Sequence, residues 1–552
     1  MMDNSGILGI LNLYAKLAEL HNENSFKVRA YSSAAFNLKK IKLPYGQMTD
    51  ADLLSVPGVG KGVVDSIREI SASGKMEALN ELLKITPAGI VEMLQIKGLG
   101  PKKVAIIWNT LQIESIGELL DACRQNRLVE AKGFGLKTQA EIVRSIEFSL
   151  MSQGKWHYAR LWEPATSFFE DFKKEFTGSK ISFTGAFRRA AVVLESIEII
   201  CDIDPFEVLE YCESRNIPAD LNEVEIAATL NGQYPLTIMC TDSHSFEREL
   251  FETTGSVSHL KLLNYQRSDD FETESDYYQS KGNRWILPEQ REGRDELSEQ
   301  YPTENFIEFW QLKGVLHNHT TYSDGLNSLR EMAEFAKYQK YEYLGICDHS
   351  QSAGYAGGLK PDDLLKQIKE IDALNLEFAP FKIFKGIESD ILSDGSLDYD
   401  KEILSQLDFV VASIHSGLNM DMDKAHLRLV KAIENPFTTI LGHLTGRLLL
   451  LRNGYPINHE YIIDACAQNG VCIELNAHPY RLDIDWTWIQ YAQNKGVMIS
   501  INPDAHEKQG YHDMFFGTLA ARKGGLLTRN TLNALSCEEF EKYLFERKGK
   551  IK

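Results

Sequence analysis

The sequence predicts a multidomain protein with an all-helical N-terminal part and a C-terminal barrel of alternating strands and helices, in a chain of 552 residues. Three observations predict it. The first 150 residues hold three Gly-x-Gly turns, each followed by an amphipathic helical stretch. From about Gln311 onward, short apolar runs alternate with helical segments, as in a parallel sheet wound into a barrel. Nine His, Asp and Glu residues fall at or just past the ends of those runs.

The turns are Val56-Pro57-Gly58-Val59-Gly60-Lys61, Ile96-Lys97-Gly98-Leu99-Gly100-Pro101-Lys102-Lys103 and Ala131-Lys132-Gly133-Phe134-Gly135-Leu136-Lys137. Glycines two apart permit a tight turn that leaves backbone N–H groups exposed at a helix N-terminus, which suits a phosphate. Lys61, Lys102, Lys103 and Lys137, just past the glycines, add attraction that does not depend on base sequence. A single copy could instead be a corner between helices that needs glycine. Three copies with lysine on the same side favour contact with a nucleic-acid backbone, and they resemble helix-hairpin-helix motifs.

In the C-terminal part, helices are expected at 326–341, 361–375, 423–435, 458–468 and 485–495, and strands at 383–387, 409–414 and 438–442. About seven such units make a closed or nearly closed barrel, whose chemistry belongs at the C-terminal ends of its strands. The polar residues there are His317, His319, Asp324, His349, Glu388, His415, His443, Asp504 and His506. Imidazole and carboxylate suit manganese, zinc or iron, and no cysteine joins the set, so a hydrolytic cluster is expected rather than a structural zinc module. One His-x-His would be ordinary core or surface. Nine polar groups at successive strand ends are not core packing. Asp348 is expected either to orient a neighbouring imidazole or to be a solvated loop residue. Arg447 and Arg481 are expected either to pair with a substrate phosphate or to be surface arginines.

The stretch from about 311 to 552 resembles a PHP (polymerase and histidinol phosphatase) domain, a distorted (β/α)7 barrel, and fills all nine ligand positions of that family. The resemblance implies three divalent metals (manganese, zinc or iron) and no organic cofactor. His317, His319, Glu388 and Asp504 would hold one metal. Glu388 would bridge to a second with His415 and His443, and Asp324, His349 and His506 would hold the third. In-line hydrolysis of a phosphoester by an activated water then needs no nucleophilic side chain.

The whole chain resembles bacterial family X DNA polymerases that carry a C-terminal PHP domain. Asn24-Ser25-Phe26-Lys27-Val28-Arg29-Ala30-Tyr31 matches the opening helical domain of that family, Leu99-Gly100-Pro101-Lys102-Lys103 its fingers, and Pro288-Glu289-Gln290-Arg291-Glu292-Gly293 the segment ahead of its PHP domain. The resemblance implies a lyase-like helix-hairpin-helix domain at 1–85 and fingers at 86–152. An α+β nucleotidyltransferase-like palm at 153–253, a thumb-like segment and linker at 254–308, and the PHP domain at 309–552 would follow.

The palm departs from that family. Its Gly-Ser-x-Arg-Arg reads Gly185-Ala186-Phe187-Arg188-Arg189, its Asp-x-Asp reads Ser196-Ile197-Glu198, and its third aspartate falls at Thr237. Glu252-Thr253 replaces the aromatic pair ahead of Thr254-Gly255-Ser256. One carboxylate does not hold two magnesium ions, so nucleotide chemistry is expected to be lost. Asp202-Ile203-Asp204 is formally an Asp-x-Asp but lies beyond the strand expected at 197–201 and out of register with the arginines. Ser66 stands where eukaryotic relatives place a Schiff-base lysine, which puts lyase activity in doubt.

The net charge of −19 and pI near 5.3 do not mark a nucleic-acid binder, but the charge is uneven. Residues 1–150 carry 18 Lys and Arg against 16 Asp and Glu, a net of +2, which leaves −21 downstream. Eight cysteines without Cys-x-x-Cys pairs, no apolar signal segment and no bilayer-length apolar run indicate a reduced, soluble, cytoplasmic protein, expected to be a monomer. The expected function is a DNA-binding, metal-dependent 3′→5′ exonuclease of DNA repair acting at gaps or 3′ ends, with 3′-phosphatase or abasic-site cleavage as companion activities. The alternatives are an active gap-filling polymerase with an editing exonuclease, and a small-molecule phosphatase of histidinol-phosphatase type.

Overall fold

The computed structural model describes residues 4–549 apart from 42, 97, 125–127 and 132, so Lys97 and Lys132 of the second and third turns lie outside the described residues. It divides into two compact units, Met1–Gln153 and Gly154–Lys552.

Among the described residues of the first unit, every regular element is a helix. Asn24 starts the helix Ser25–Leu38 by accepting the Phe26 N–H at 2.9 Å, and Thr49 with Asp52 forms a reciprocal capping box ahead of Asp50–Ser55. Apolar residues at helical spacing, from Leu11 and Leu17 through Ile67 and Ile107 to Ile146, share one core. Lys16 Nζ donates to the Leu94 carbonyl at 2.8 Å, and His21 bonds Thr86 at 2.7 Å, tying the first and later helices together.

The second unit opens with a mixed five-stranded sheet, in the order Ile181–Phe183, Ile197–Cys201, Tyr234–Cys240, Glu225–Leu230, Ala219–Asn222. The expected strand at 197–201 is present, and it runs parallel to Tyr234–Cys240 with Glu198 opposite Thr237. Ile197, Ile199, Leu236 and Ile238 fill its core.

The barrel follows with seven parallel strands: Gly314–Leu316, Tyr343–Ile346, the broken strand Lys382–Lys385 and Glu388–Asp390, Val411–Ser413, Ile440–Leu441, Cys472–Asn476 and Ile499–Asn502. The broken strand pairs with Tyr343–Ile346 through its first half and with Val411–Ser413 through its second. The break falls at Gly386, where an added Cβ would meet the Ile346 carbonyl and the Phe409 ring, each at 2.6 Å. The barrel closes where the His319 N–H donates to the Ala505 carbonyl at 2.8 Å.

Two helices begin three or four residues later than the apolar pattern predicts. The one expected from 326 starts at Leu329, because the Leu326 N–H bonds the His506 carbonyl and Ser328 with Glu331 forms the cap. The one expected from 485 is a 3-10 turn, Trp486–Trp488, before the helix Ile489–Asn494, because Asp485 is drawn to Thr487 and Arg447.

Barrel and mixed sheet are wired together through the segment 288–293. Arg522 pairs with Glu289, Arg189 with Glu292 at 3.1 Å, and buried Lys523 with Glu292. Phe516 and Leu519 of the barrel helix Met514–Lys523 pack against the core of the mixed sheet. Among the described residues no helix is long and apolar enough to cross a membrane.

Candidate functional site

The nine polar residues gather at the C-terminal mouth of the barrel, eight on segments that follow its strands and Glu388 on the strand Glu388–Asp390. Glu388, emerging just past the strand break, is the hub. Its carboxylate oxygens lie 3.2 Å from His317 Nε2, 3.6 Å from His319 Nε2, 2.9 Å from His349 Nδ1, 3.1 Å from His415 Nε2 and 3.0 Å from His443 Nε2. Three sets of ligand atoms lie close enough together to share an ion: His319, Asp324, His349 and His506; His317, His319 and Asp504; and His349, Glu388 and His415. His443 joins through Glu388.

Outer residues fix the imidazoles. Glu474 accepts from His317 Nδ1 at 2.6 Å and from the His443 N–H at 2.7 Å, and Asn502 donates to it at 2.9 Å. Asp390 holds His415 Nδ1 at 2.7 Å and is itself held by the Ser352 hydroxyl. These carboxylates orient the rings so that the opposite nitrogens face Glu388. His317 (φ +91°) and Asp504 (φ +52°) hold left-handed backbone that non-glycine residues rarely adopt.

The donor set fits divalent cations. His317 Nε2, His319 Nδ1 and His443 Nδ1 are buried and make no hydrogen bond of acceptable geometry within the protein, a costly arrangement unless another group satisfies them. Burial opposes ionisation of Glu388 and Asp504, yet the surrounding imidazoles hold both well below the carboxylate range. Burial likewise opposes charge on His415 and His506, but the carboxylates raise them to about 10 and about 9. At His319 burial wins, aided by His506 and His349, and lowers it to about 3. A field that draws protons onto imidazoles also draws cations.

Asp348 differs from both expectations. It is fully buried, and it accepts the Thr320 N–H and hydroxyl at 2.7 Å, the Ser323 hydroxyl at 2.5 Å and the Gln367 amide at 2.6 Å. It pins the loop that carries Asp324 rather than bonding an imidazole. Arg447 is held within the fold, its guanidinium donating to Asp485 at 2.5 Å and to the Arg481 and Leu482 carbonyls. Arg481 faces the cluster, with Nε 3.5 Å from Asp504 Oδ2. Glu474 and Asp390 escaped the sequence reading, although a glutamate inside the buried strand Cys472–Asn476 was a visible signal.

In the mixed sheet, Ser196, Glu198 and Thr237 converge, with Thr237 Oγ1 3.4 Å from Ser196 Oγ. Arg188 is bound to Glu274 at 2.8 and 2.9 Å. Asp202 accepts the Lys180 N–H at 2.6 Å and Asp204 caps the helix Pro205–Ser214. Both line an open groove of about 640 Å³ beyond the strand ends.

The three turns share one geometry. Gly58, Gly98 and Gly133 have φ of +81°, +90° and +95°, and the N–H groups of Val59, Leu99 and Phe134 bond the carbonyls three residues back. Gly60 and Gly100 start the helices Lys61–Ser73 and Pro101–Leu111 without side-chain caps, and nothing lies within 4 Å of a Cβ built at Gly60, Gly100 or Gly135. Lys61, Lys102 and Lys137 are exposed, while Lys103 Nζ reaches back to the Gly98 carbonyl at 3.1 Å. Ser66 is buried and bonds Tyr31 at 2.8 Å, so its place in the helix is structural.

Three family models match the chain: a helix-hairpin-helix domain at residues 2–76, a SAM-like helix-hairpin-helix tandem at 90–147 and a PHP domain at 316–478. The chain is 34% identical over an alignment of 569 positions to the DNA polymerase/3′-5′ exonuclease PolX of Bacillus subtilis, across 98% of this chain and 99% of that protein. Over 253 aligned residues, 44% of this chain, it is 27% identical to 98% of a probable phosphatase of Thermoanaerobacter pseudethanolicus. A probable phosphatase of Acetivibrio thermocellus is 26% identical across 43% of this chain and 96% of its own length.

Proposed function

Because the chain belongs to the PolX family, the family X DNA polymerases that carry a PHP domain, we propose that it is a DNA repair phosphoesterase, a 3′→5′ exonuclease whose hydrolysis is confined to the barrel. The observation that carries this reading is the convergence of nine imidazole and carboxylate side chains with Glu388 at their hub. His317, His319, Asp504 and Glu388 would hold one divalent metal, Glu388, His415 and His443 a second, and Asp324, His349 and His506 a third. Such ions, when bound, supply an acidified water and neutralise charge on a phosphodiester. Within the chain, Glu474 and Asp390 fix the imidazoles, Asp348 fixes the Asp324 loop, and Arg481 offers a guanidinium to the phosphate. The glycine turns hold the DNA backbone without reading bases.

A second reading, a working gap-filling polymerase, draws support from the full-length similarity to a protein named for both activities. The palm favours the first reading. Ser196 and Thr237 offer neutral oxygens where carboxylates are needed, and the Glu198 carboxylate is turned onto the Phe187 N–H. A small-molecule phosphatase has no use for three DNA-contacting turns. The test is purified protein with manganese and 3′-labelled, 5′-labelled and gapped DNA, with and without nucleotides. Stepwise loss of 3′ nucleotides without extension is the expected result. Extension with nucleotides would restore the second reading, and the same substrates reveal 3′-phosphatase or abasic-site cleavage.

A further inference from the structure

The loop that follows the barrel strand Cys472–Asn476 carries His478, Tyr480 and Arg481 to the rim of the metal-site candidate. Arg481 Nε lies 3.5 Å from Asp504 Oδ2, and the His478 backbone N–H donates to Asn476 Oδ1 at 3.1 Å; the Asn476 amide in turn donates to Asp504 at 3.1 Å. The Tyr480 N–H donates to His478 Nδ1 at 3.2 Å, so the imidazole proton is on Nε2. Tyr480 itself keeps 39% of its surface in solvent. Its ring is braced by a residue from outside the barrel. His157, at the start of the mixed-sheet region, lies with its centroid 4.2 Å from that of Tyr480 at 36°. His157 is in turn anchored by a 2.9 Å bond between Nε2 and the Leu449 carbonyl, on the loop that follows His443. Tyr480 therefore presents a partly exposed aromatic ring, held by His157 and met edge-on by His478 at 5.3 Å, on the rim of the candidate phosphoester site.

We propose that Tyr480 is a stacking platform for a nucleobase near the 3′ end of single-stranded DNA, and that His157 is a positioning residue that holds Tyr480 in place. The palm would then form one wall of the nuclease site. Bases stack on aromatic rings with little sequence preference, as an exonuclease that degrades any sequence requires. This inference rests on the exonuclease reading above.

The test compares Tyr480→Ala, Tyr480→Phe, Tyr480→Trp and His157→Ala on two manganese-supported substrates. One is a 5′-labelled single-stranded oligonucleotide, and the other has the same backbone with tetrahydrofuran abasic units at its last three positions. Tyr480→Ala should raise KM for the ordinary oligonucleotide roughly tenfold with little change in kcat, bringing it to the wild-type value for the abasic strand. It should leave the abasic strand within about twofold of wild type. Tyr480→Phe and Tyr480→Trp should keep wild-type KM, and His157→Ala should shift KM in the same direction as Tyr480→Ala. Equal losses on both substrates, or no loss on either, would overturn the platform. If His157→Ala fails a thermal-unfolding check, the Tyr480 series decides alone. A wild-type protein that degrades neither strand would remove the exonuclease reading and the platform with it, whereas unchanged variants of an active wild type would remove only the platform.

Discussion

The carboxylate of Glu198 accepts the backbone N–H of Phe187 at 3.2 Å and so fills the space above Gly185, where an added Cβ would meet it at 2.1 Å. Burial raises the pKa of this carboxyl, and the N–H groups of Phe187 and Ala186 partly offset the rise. The one acidic group in the triad of palm positions is therefore satisfied by its own backbone.

From this the chain should not extend a primer. Phosphoryl transfer from a nucleotide depends on metals placed by several carboxylates. A gapped primer with four nucleotides and magnesium or manganese, on a His349→Ala background that suppresses degradation, should show no synthesis. Template-dependent extension would contradict this and direct attention to Asp202 and Asp204. The combination Ser196→Asp, Glu198→Asp and Thr237→Asp should remain inactive unless Ala186→Ser accompanies it.

Glu274 should make the second unit acid-sensitive. It accepts from Arg188 at 2.8 and 2.9 Å and from Arg291 at 2.5 and 3.1 Å. Burial alone would raise its pKa, but the two guanidiniums outweigh it and hold it at about 2 against an ordinary 4.5. A carboxyl depressed in the folded state stabilises the fold above its unfolded pKa, and that stability is lost as pH falls from about 4.5 towards about 2. The contribution is on the order of 3 kcal/mol. Glu274→Gln, which leaves two arginines facing a neutral amide, should lower stability by about 3 kcal/mol at pH 7 and flatten this acid transition. Thermal unfolding across pH 2–7 checks both, and an unchanged Tm would refute them.

Removing charge at Lys61, Lys102, Lys103 and Lys137 together should weaken DNA binding similarly for unrelated sequences. Each lost phosphate contact should reduce the slope of log affinity against log salt by about 1. Fluorescence anisotropy at several salt concentrations measures it. An unchanged affinity would make the turns structural corners only.

What could be read in the sequence followed from local rules. The Gly-x-Gly turns, the strand at 197–201 and the nine polar residues at strand ends each depend on a pattern spanning a few residues. What could not be read depends on distant partners. Arg447 looked free until Asp485 and the 481–482 carbonyls, 34 to 38 residues away, came against it. Asp348 looked like a loop residue until the Thr320–Ser323 turn folded onto it. Glu198 alone gave no hint that its carboxylate would turn back onto the Phe187 N–H. The bracing of Tyr480 by His157 crosses more than 300 residues of chain and has no local signature.

Chelation should abolish hydrolysis and also lower the Tm, because the imidazoles and carboxylates crowded around Glu388 lose the cations that the cluster favours. Manganese should restore both, read by thermal unfolding alongside nuclease rate. A Tm indifferent to chelator and to added manganese, zinc or iron would indicate that the cluster is held by protons alone.

The central claim is that hydrolysis resides at the barrel cluster. The most direct measurement is the rate of nucleotide release from 3′-labelled DNA in manganese by wild type, His349→Ala and Asp504→Ala, with DNA affinity measured on the same preparations. Both variants should lose nuclease activity by at least about 10²-fold while binding DNA as wild type does, because the proposed DNA-holding turns and the proposed metal ligands are different residues on different units of the chain. Wild-type nuclease rates in both variants would place the chemistry elsewhere and contradict the account.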